Sequence, residues 1–243
     1  MILASTHQRL TRGDAQLLVR LLAHDAANER EQLEDRLREQ GIDGLLDDER
    51  LPSLLVRHAH GGGASLELFF YVMVRHALLR VGVTDRGLAD YVTAVLVHFG
   101  ARGRATRIDE NDDQVYDALA GLLGDVNDRD AKRAFLVRAH LGNYALWLSG
   151  LYPDLIEHRR WRRGGPDIDY YDEMGRRGFL LASDHQMATQ NGVAELYAAA
   201  ASRFTLLRAA LNEVSDTLLF PHVTSPERLM RQVRTSFGVL RAG

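Results

Sequence analysis

Three features of the sequence predict an all-α fold. Apolar residues recur at spacings of three and four along most of the 243 positions, the period that lines one face of a helix. No run of alternating apolar residues is bounded by turn pairs, so no hairpin is signalled. Between Asp167 and Phe220 there is no proline, and Ala, Leu and Glu are frequent, as in strong helix formers. The expectation is one compact domain over residues 1–243 with roughly eight to ten helices and no sheet. Within it, residues 1–60 supply N-terminal helices, 65–220 the helical core and 225–240 a last helix.

Each element has its own signal. Leu17, Leu18, Leu21, Leu22, Ala26, Leu33 and Leu37 predict one amphipathic helix, entered at a Thr11/Asp14 capping pair and stopped at Gly41. A poorer helix over 42–58 is disturbed by Pro52, and Gly61, Gly62 and Gly63 then break the chain. Leu66–Arg80 is apolar on nearly every side, which predicts a buried helix. Asp85–Phe99 follows as another, entered from Thr84. The polar stretch 100–113 reads as a surface loop, and 115–123 and 131–148 as helices. Pro153 and Pro166 bracket a segment that reads as irregular, holding one short turn of helix. Residues 167–220 make one long helix or two, with Gly192 the weak point. Ser225 and Pro226 pair a cap with a first-turn proline, opening the last helix.

Composition narrows the chemistry. The chain is 46% hydrophobic and 26% charged, with a formal net charge of -3. No global field recruits nucleic acid, and nucleic acid is not an expected partner. The absence of Cys removes disulfides, thiolate zinc sites, iron–sulfur clusters and cysteine nucleophiles. All but Lys132 of the 30 basic residues are Arg, so a Schiff-base lysine has a single candidate. The opening residues carry charge too early for an export signal, and no apolar stretch reaches the roughly 20 residues of a spanning helix. A bacterial-type cytoplasmic protein is the expectation.

Sequence motifs for metals and phosphates do not survive scrutiny. No Glu is followed by His three residues later, as a ferritin-like di-metal bundle requires. His58 and His60 alternate, a spacing that suits no helix face. His24-Asp25 looks like the metal-binding pair of phosphohydrolases, but only His7 lies upstream of it, in a segment expected to fray. His60-Gly61-Gly62-Gly63 spells an oxyanion loop, but the nucleophile elbow that gives it meaning is missing. Neither a metal site nor a cofactor is expected.

Two constellations remain. Tyr71 and Arg75 share a face of the buried helix, with His76 beside them, and Asp90 on the next helix is the acid expected to pair with them. Tyr170, Tyr171 and His185 lie on the later helical stretch, where Gly175 and Gly178 invite close helix packing or leave room for a ligand. The second constellation is the hexamer His158-Arg159-Arg160-Trp161-Arg162-Arg163. Four guanidiniums around an indole suit a phosphate or an acidic peptide. Asp167, Asp169, Asp172 and Glu173 follow, and offer an internal network instead.

Two blocks carry a resemblance. Tyr71 to Leu78 followed by Leu88 to Val92 is one; Leu148 to Pro153, Arg162 to Gly164 and Tyr170 to Gly175 make the other. Together they resemble a group of uncharacterised bacterial all-helical proteins over about residues 65–220. The resemblance implies an α-helical bacterial protein and carries no activity with it. The functional expectation is therefore a non-catalytic regulatory or adaptor protein acting through protein contacts, self-association or a small anionic partner. The alternative is an enzyme or ligand binder with a pocket lined by Arg75, His76, Asp90, Tyr170, Tyr171 and His185.

Overall fold

The computed structural model describes residues 5–23, 27–58, 63–101, 104–109, 112–116, 118–222, 228–229 and 232. Among them are thirteen α-helices and no strand. They group into two compact units, Leu3–His98 and Phe99–Gly243, with the border falling inside one helix.

The N-terminal unit opens with a 3-10 turn at His7–Arg9, followed by α1 (Arg12–Ala23) and α2 (Ala27–Gln40), which pack on each other. The Thr11/Asp14 pair caps α1 reciprocally: Thr11 N–H and Oγ1 donate to Asp14 Oδ2, both at 2.8 Å, and Asp14 N–H donates to Thr11 Oγ1 at 3.2 Å. Gly41 leaves α2 at φ 66°, a left-handed stop that suits glycine. Next come α3 (Asp43–Leu46), α4 (Leu51–His58), α5 (Leu66–Arg80) and α6 (Arg86–Gly100). Ser65 caps α5 by accepting from Leu68 N–H at 3.0 Å, and Tyr71 through Leu78 are all buried. Asp85, not Thr84, caps α6, accepting from Leu88 N–H at 3.1 Å.

In the C-terminal unit α7 (Leu119–Asp125) precedes α8 (Ala131–Leu151). Sixteen of the 21 residues of α8 are buried, so helices must cover it on every side. α10 (Ile168–Ser183), α13 (Phe204–Val214), α7 and α9 (Pro153–Arg163) do so. The short α11 (Gln186–Gln190) and α12 (Ala194–Ser202) lie between α10 and α13, and a π-helical turn covers Ser215–Leu219. Glycines set the approach of α10 to α8. A Cβ at Gly178 would sit 2.6 Å from Gly142 N and 3.0 Å from Arg138 O, and a Cβ at Gly142 would sit 2.5 Å from the Phe179 ring. The spacing of Gly175 and Gly178 thus serves close packing.

Several expectations need correction. Helices number thirteen among the described residues rather than eight to ten: the stretch 42–58 is interrupted at 47–50, and the stretch 167–220 at three short links without proline. The helix expected across Leu17–Leu37 is two, α1 and α2. Residues 167–220 break at Asp184–His185, at Gly192 (φ 67°) and at Arg203. The loop 100–113 is not simply superficial: Ala105 and Ile108 are buried, and Ala105 O accepts from the buried His140 ring at 3.0 Å. Residues 112–116 are not helical, and α7 starts at Leu119. The last helix expected over 225–240 lies outside the described residues, apart from Arg228, Leu229 and Gln232.

The glycine contact gives a testable contrast. Gly178→Ala forces a methyl into backbone atoms that cannot rotate away, and should destabilise the C-terminal unit by about 3 kcal/mol. Gly124→Ala, with open space around its Cβ position, should leave stability within about 1 kcal/mol of wild type. Urea unfolding of both variants checks this.

Candidate functional site

The hexamer lies on a helix, which corrects the expected irregular loop. Pro153 occupies the first turn of α9, where its missing N–H is harmless. Gly164 ends the helix at φ 63°, its N–H donating to Arg160 O at 3.1 Å, so the chain stops before Pro166. Pro153 and Ile156 are buried, while residues 158–163 are exposed. Trp161 has 75% of its surface in solvent. The Arg160 guanidinium carbon stands 5.9 Å from the Trp161 ring centroid, within cation–π range.

The expected internal network is largely absent. Arg160 reaches Asp167 only at 3.9 Å. Among the described residues, Arg159, Arg162 and Arg163 make no ion pair. The acids that follow are committed elsewhere or left open. Asp167 caps α10, accepting from Tyr170 N–H at 3.1 Å. Asp172 is buried and accepts from Arg208 Nε at 2.7 Å and Thr205 Oγ1 at 3.1 Å. Asp169 and Glu173 are exposed and make no ion pair among the described residues.

In the N-terminal unit the polar residues Arg75 and Asp90 are joined in one network that runs through His7, Asp43, Arg86 and Asp47. Arg75, 4% exposed, forks onto Asp47: Nε to Oδ1 at 2.8 Å and a terminal nitrogen to Oδ2 at 3.0 Å, with a further bond to Thr84 O at 2.7 Å. Arg86 also reaches Asp47 Oδ2, at 2.7 Å, and Asp43 Oδ1 at 2.5 Å. The His76 ring donates Nε2–H to Leu46 O at 3.0 Å. Asp90, the acid expected to pair with Arg75 or His76, instead accepts from His7 N–H at 2.6 Å. Sequence order favoured Asp90 because it lies on the next long helix. Asp47 sits in a short link whose pattern signals nothing.

Each shift follows from this geometry. The Arg75 hydrogen bonds, the largest influence, hold the Asp47 carboxyl below its ordinary value. Burial pushes His76 down and Tyr71 up to about 12. In the C-terminal unit burial raises the Tyr171 phenol against the opposing charge of Arg159. Tyr170 meets the Tyr171 ring edge-on at 5.9 Å. His185 caps α11, its Nδ1 accepting from Met187 N–H at 3.2 Å, and burial lowers its pKa. The tyrosines open α10 and His185 follows its end, so a rise of about 1.5 Å per residue separates them by roughly 20 Å. They form no common pocket wall.

Sequence reading missed two further polar centres. Arg133 gathers Asp112, Asp125 and Asp128 at 3.0, 3.2 and 2.6 Å, with its guanidinium standing among the carboxylates. Asn212 donates to Ser149 O at 2.8 Å and Gly150 O at 2.7 Å, and Ser215 to Leu151 O at 2.6 Å. These side chains satisfy the orphan carbonyls that end α8. Among the described residues no group of three or more His, Asp or Glu is placed to hold a metal ion, and no helix is long and apolar enough to cross a membrane. A groove of about 1130 Å³ in the N-terminal unit is lined by Arg12, Asp14, Val19, Arg20, Glu34 and Ser65 among others. None of Tyr71, Arg75, His76 or Asp90 lines it.

No protein-family model matches the chain, and neither does any curated protein or solved structure. The site must be judged on its own geometry.

The Asp47 and His76 shifts set a pH dependence. Both groups bind protons less readily when folded than when unfolded, so each contributes stability that is lost as pH falls. His76 acts first, below its ordinary 6.5. Asp47 acts below its ordinary 3.8. Urea unfolding from about pH 8 to about pH 3 should show both losses, and His76→Gln should reduce the upper one, leaving the part that His185, also lowered by burial, contributes in the same range. Asp47→Ala strands the buried Arg75 charge and should cost about 3 kcal/mol at neutral pH, against about 1 kcal/mol for Asp90→Ala.

Proposed function

We propose that the protein is a non-catalytic adaptor that engages an anionic partner through the basic end of α9. One observation carries this reading: Trp161, 75% exposed, stands among arginines of which Arg159, Arg162 and Arg163 make no ion pair among the described residues. Guanidiniums crowded into two helical turns repel one another unless anions intervene. Their forked donors match carboxylate and phosphate groups. An exposed indole adds apolar area and a π face, and Trp with Arg is the composition of energetically dominant contact residues. Arginines in a last helical turn also favour the helix dipole, but the dipole requires neither four of them nor the Trp.

The pocket-enzyme alternative gains less. Arg75 and His76 are engaged by Asp47, Thr84 O and Leu46 O, and His185 by a helix cap.

An oligoglutamate peptide is a suitable probe. Binding should quench or shift Trp161 fluorescence and weaken as salt rises. Changing Arg159, Arg160, Arg162 and Arg163 together to Gln should leave the far-UV spectrum intact and weaken binding by about tenfold or more. Equal binding by wild type and variant would rule out the α9 end.

A further inference from the structure

The α9 patch does not stand alone. Across the turn at 164–167, α10 presents Asp169 and Glu173, exposed and free of ion pairs among the described residues. They lie on successive turns of one helix face, about 6 Å apart along the axis. Opposite charges without an ion pair among the described residues therefore flank one short turn: Arg159, Arg162 and Arg163 in the last turns of α9, Asp169 and Glu173 in the first turns of α10. Trp161, against Arg160, lies in the same last turns of α9.

Such a patch has the property a two-fold interface needs. In an isologous contact the same surface meets itself, so residue i touches j on the partner while j touches i. A patch of one sign repels its copy. A patch holding both signs pairs each cation with an anion of the other chain. Within one chain the turn is bridged by Arg160 and Asp167, at 3.9 Å, while Arg159, Arg162, Arg163, Asp169 and Glu173 make no ion pair among the described residues.

From this we infer that the anionic partner of α9 is a second copy of this chain, docked corner to corner about a two-fold axis. Arg159, Arg162 and Arg163 of each protomer meet Asp169 and Glu173 of the other, and the two Trp161 rings are covered between them. The inference rests on the adaptor reading and names its partner.

Charge exchange tests it on the full chain. Sedimentation velocity of wild type should show a monomer–dimer equilibrium that shifts to monomer as salt rises. Arg159→Glu/Arg162→Glu/Arg163→Glu and Asp169→Arg/Glu173→Arg should each weaken dimerisation by about tenfold or more. Mixing the two variants should restore a dimer containing one of each, because every contact is again between opposite charges. The single exchanges Arg163→Glu and Glu173→Arg serve the same purpose if a multiple variant misfolds. A wild type that stays monomeric, a dimer indifferent to both exchanges, or a mixture that stays monomeric overturns the inference. The oligoglutamate probe separates the two readings. A monomeric wild type that still binds the peptide keeps the adaptor reading and loses only the second copy. A wild type that neither dimerises nor binds the peptide loses both.

Discussion

The C-terminal unit depends on one steric constraint: no side chain fits where α10 crosses α8. Gly178 lies against the Gly142 backbone so closely that a single methyl would collide with it. The rest of the arrangement follows. Phe179 packs where Gly142 lacks a side chain, and Phe204 where Gly175 lacks one. With α10 seated, Asp172 takes the Arg208 charge of α13. α13 in turn places Asn212 and the following Ser215 over the open carbonyls at the end of α8. α9 begins directly after those carbonyls, at Pro153. The direction in which its basic end points is inherited from the glycine crossing.

Arginine appears in three environments, and the contrast explains why one of them draws attention. Arg75 is almost fully buried, and both oxygens of Asp47 and a backbone carbonyl satisfy it. A buried charge left without partners would cost several kcal/mol, so such a set is obligatory. Arg133 is half-buried and surrounded by three carboxylates, which staple the segment before α8 to its first turn. The α9 arginines are exposed, and among the described residues only Arg160 makes an ion pair, with Asp167 at 3.9 Å.

Much of this was legible in the sequence. The limits of α5, the Thr11/Asp14 cap, the stops at Gly41 and Gly192 and the packing role of Gly175 and Gly178 all follow from local rules, because each concerns a helix period or a backbone angle. Other features depend on distance along the chain. The partner of Arg75 is 28 residues away, on a link without periodicity, and no local rule selects Asp47 over Asp90. Proline misled for a different reason. Pro153 resembles a helix breaker in sequence, but in the first turn it costs no hydrogen bond. The hexamer was therefore visible as a composition, while its helical display was not. That its acids would be drawn off to cap α10 and to pair with Arg208 could be known only from tertiary structure.

The central claim is that Trp161 stands exposed in a positive local field. Collisional quenching of its fluorescence tests both halves at once, in a Trp147→Phe background so that Trp161 is the sole indole, and at protein concentrations low enough to keep the chain dilute. The account predicts red-shifted emission, quenched readily by neutral acrylamide, and quenched more by iodide than by caesium because the guanidiniums concentrate the anion and repel the cation. Blue-shifted emission shielded from acrylamide, or caesium quenching equal to that of iodide, would contradict it.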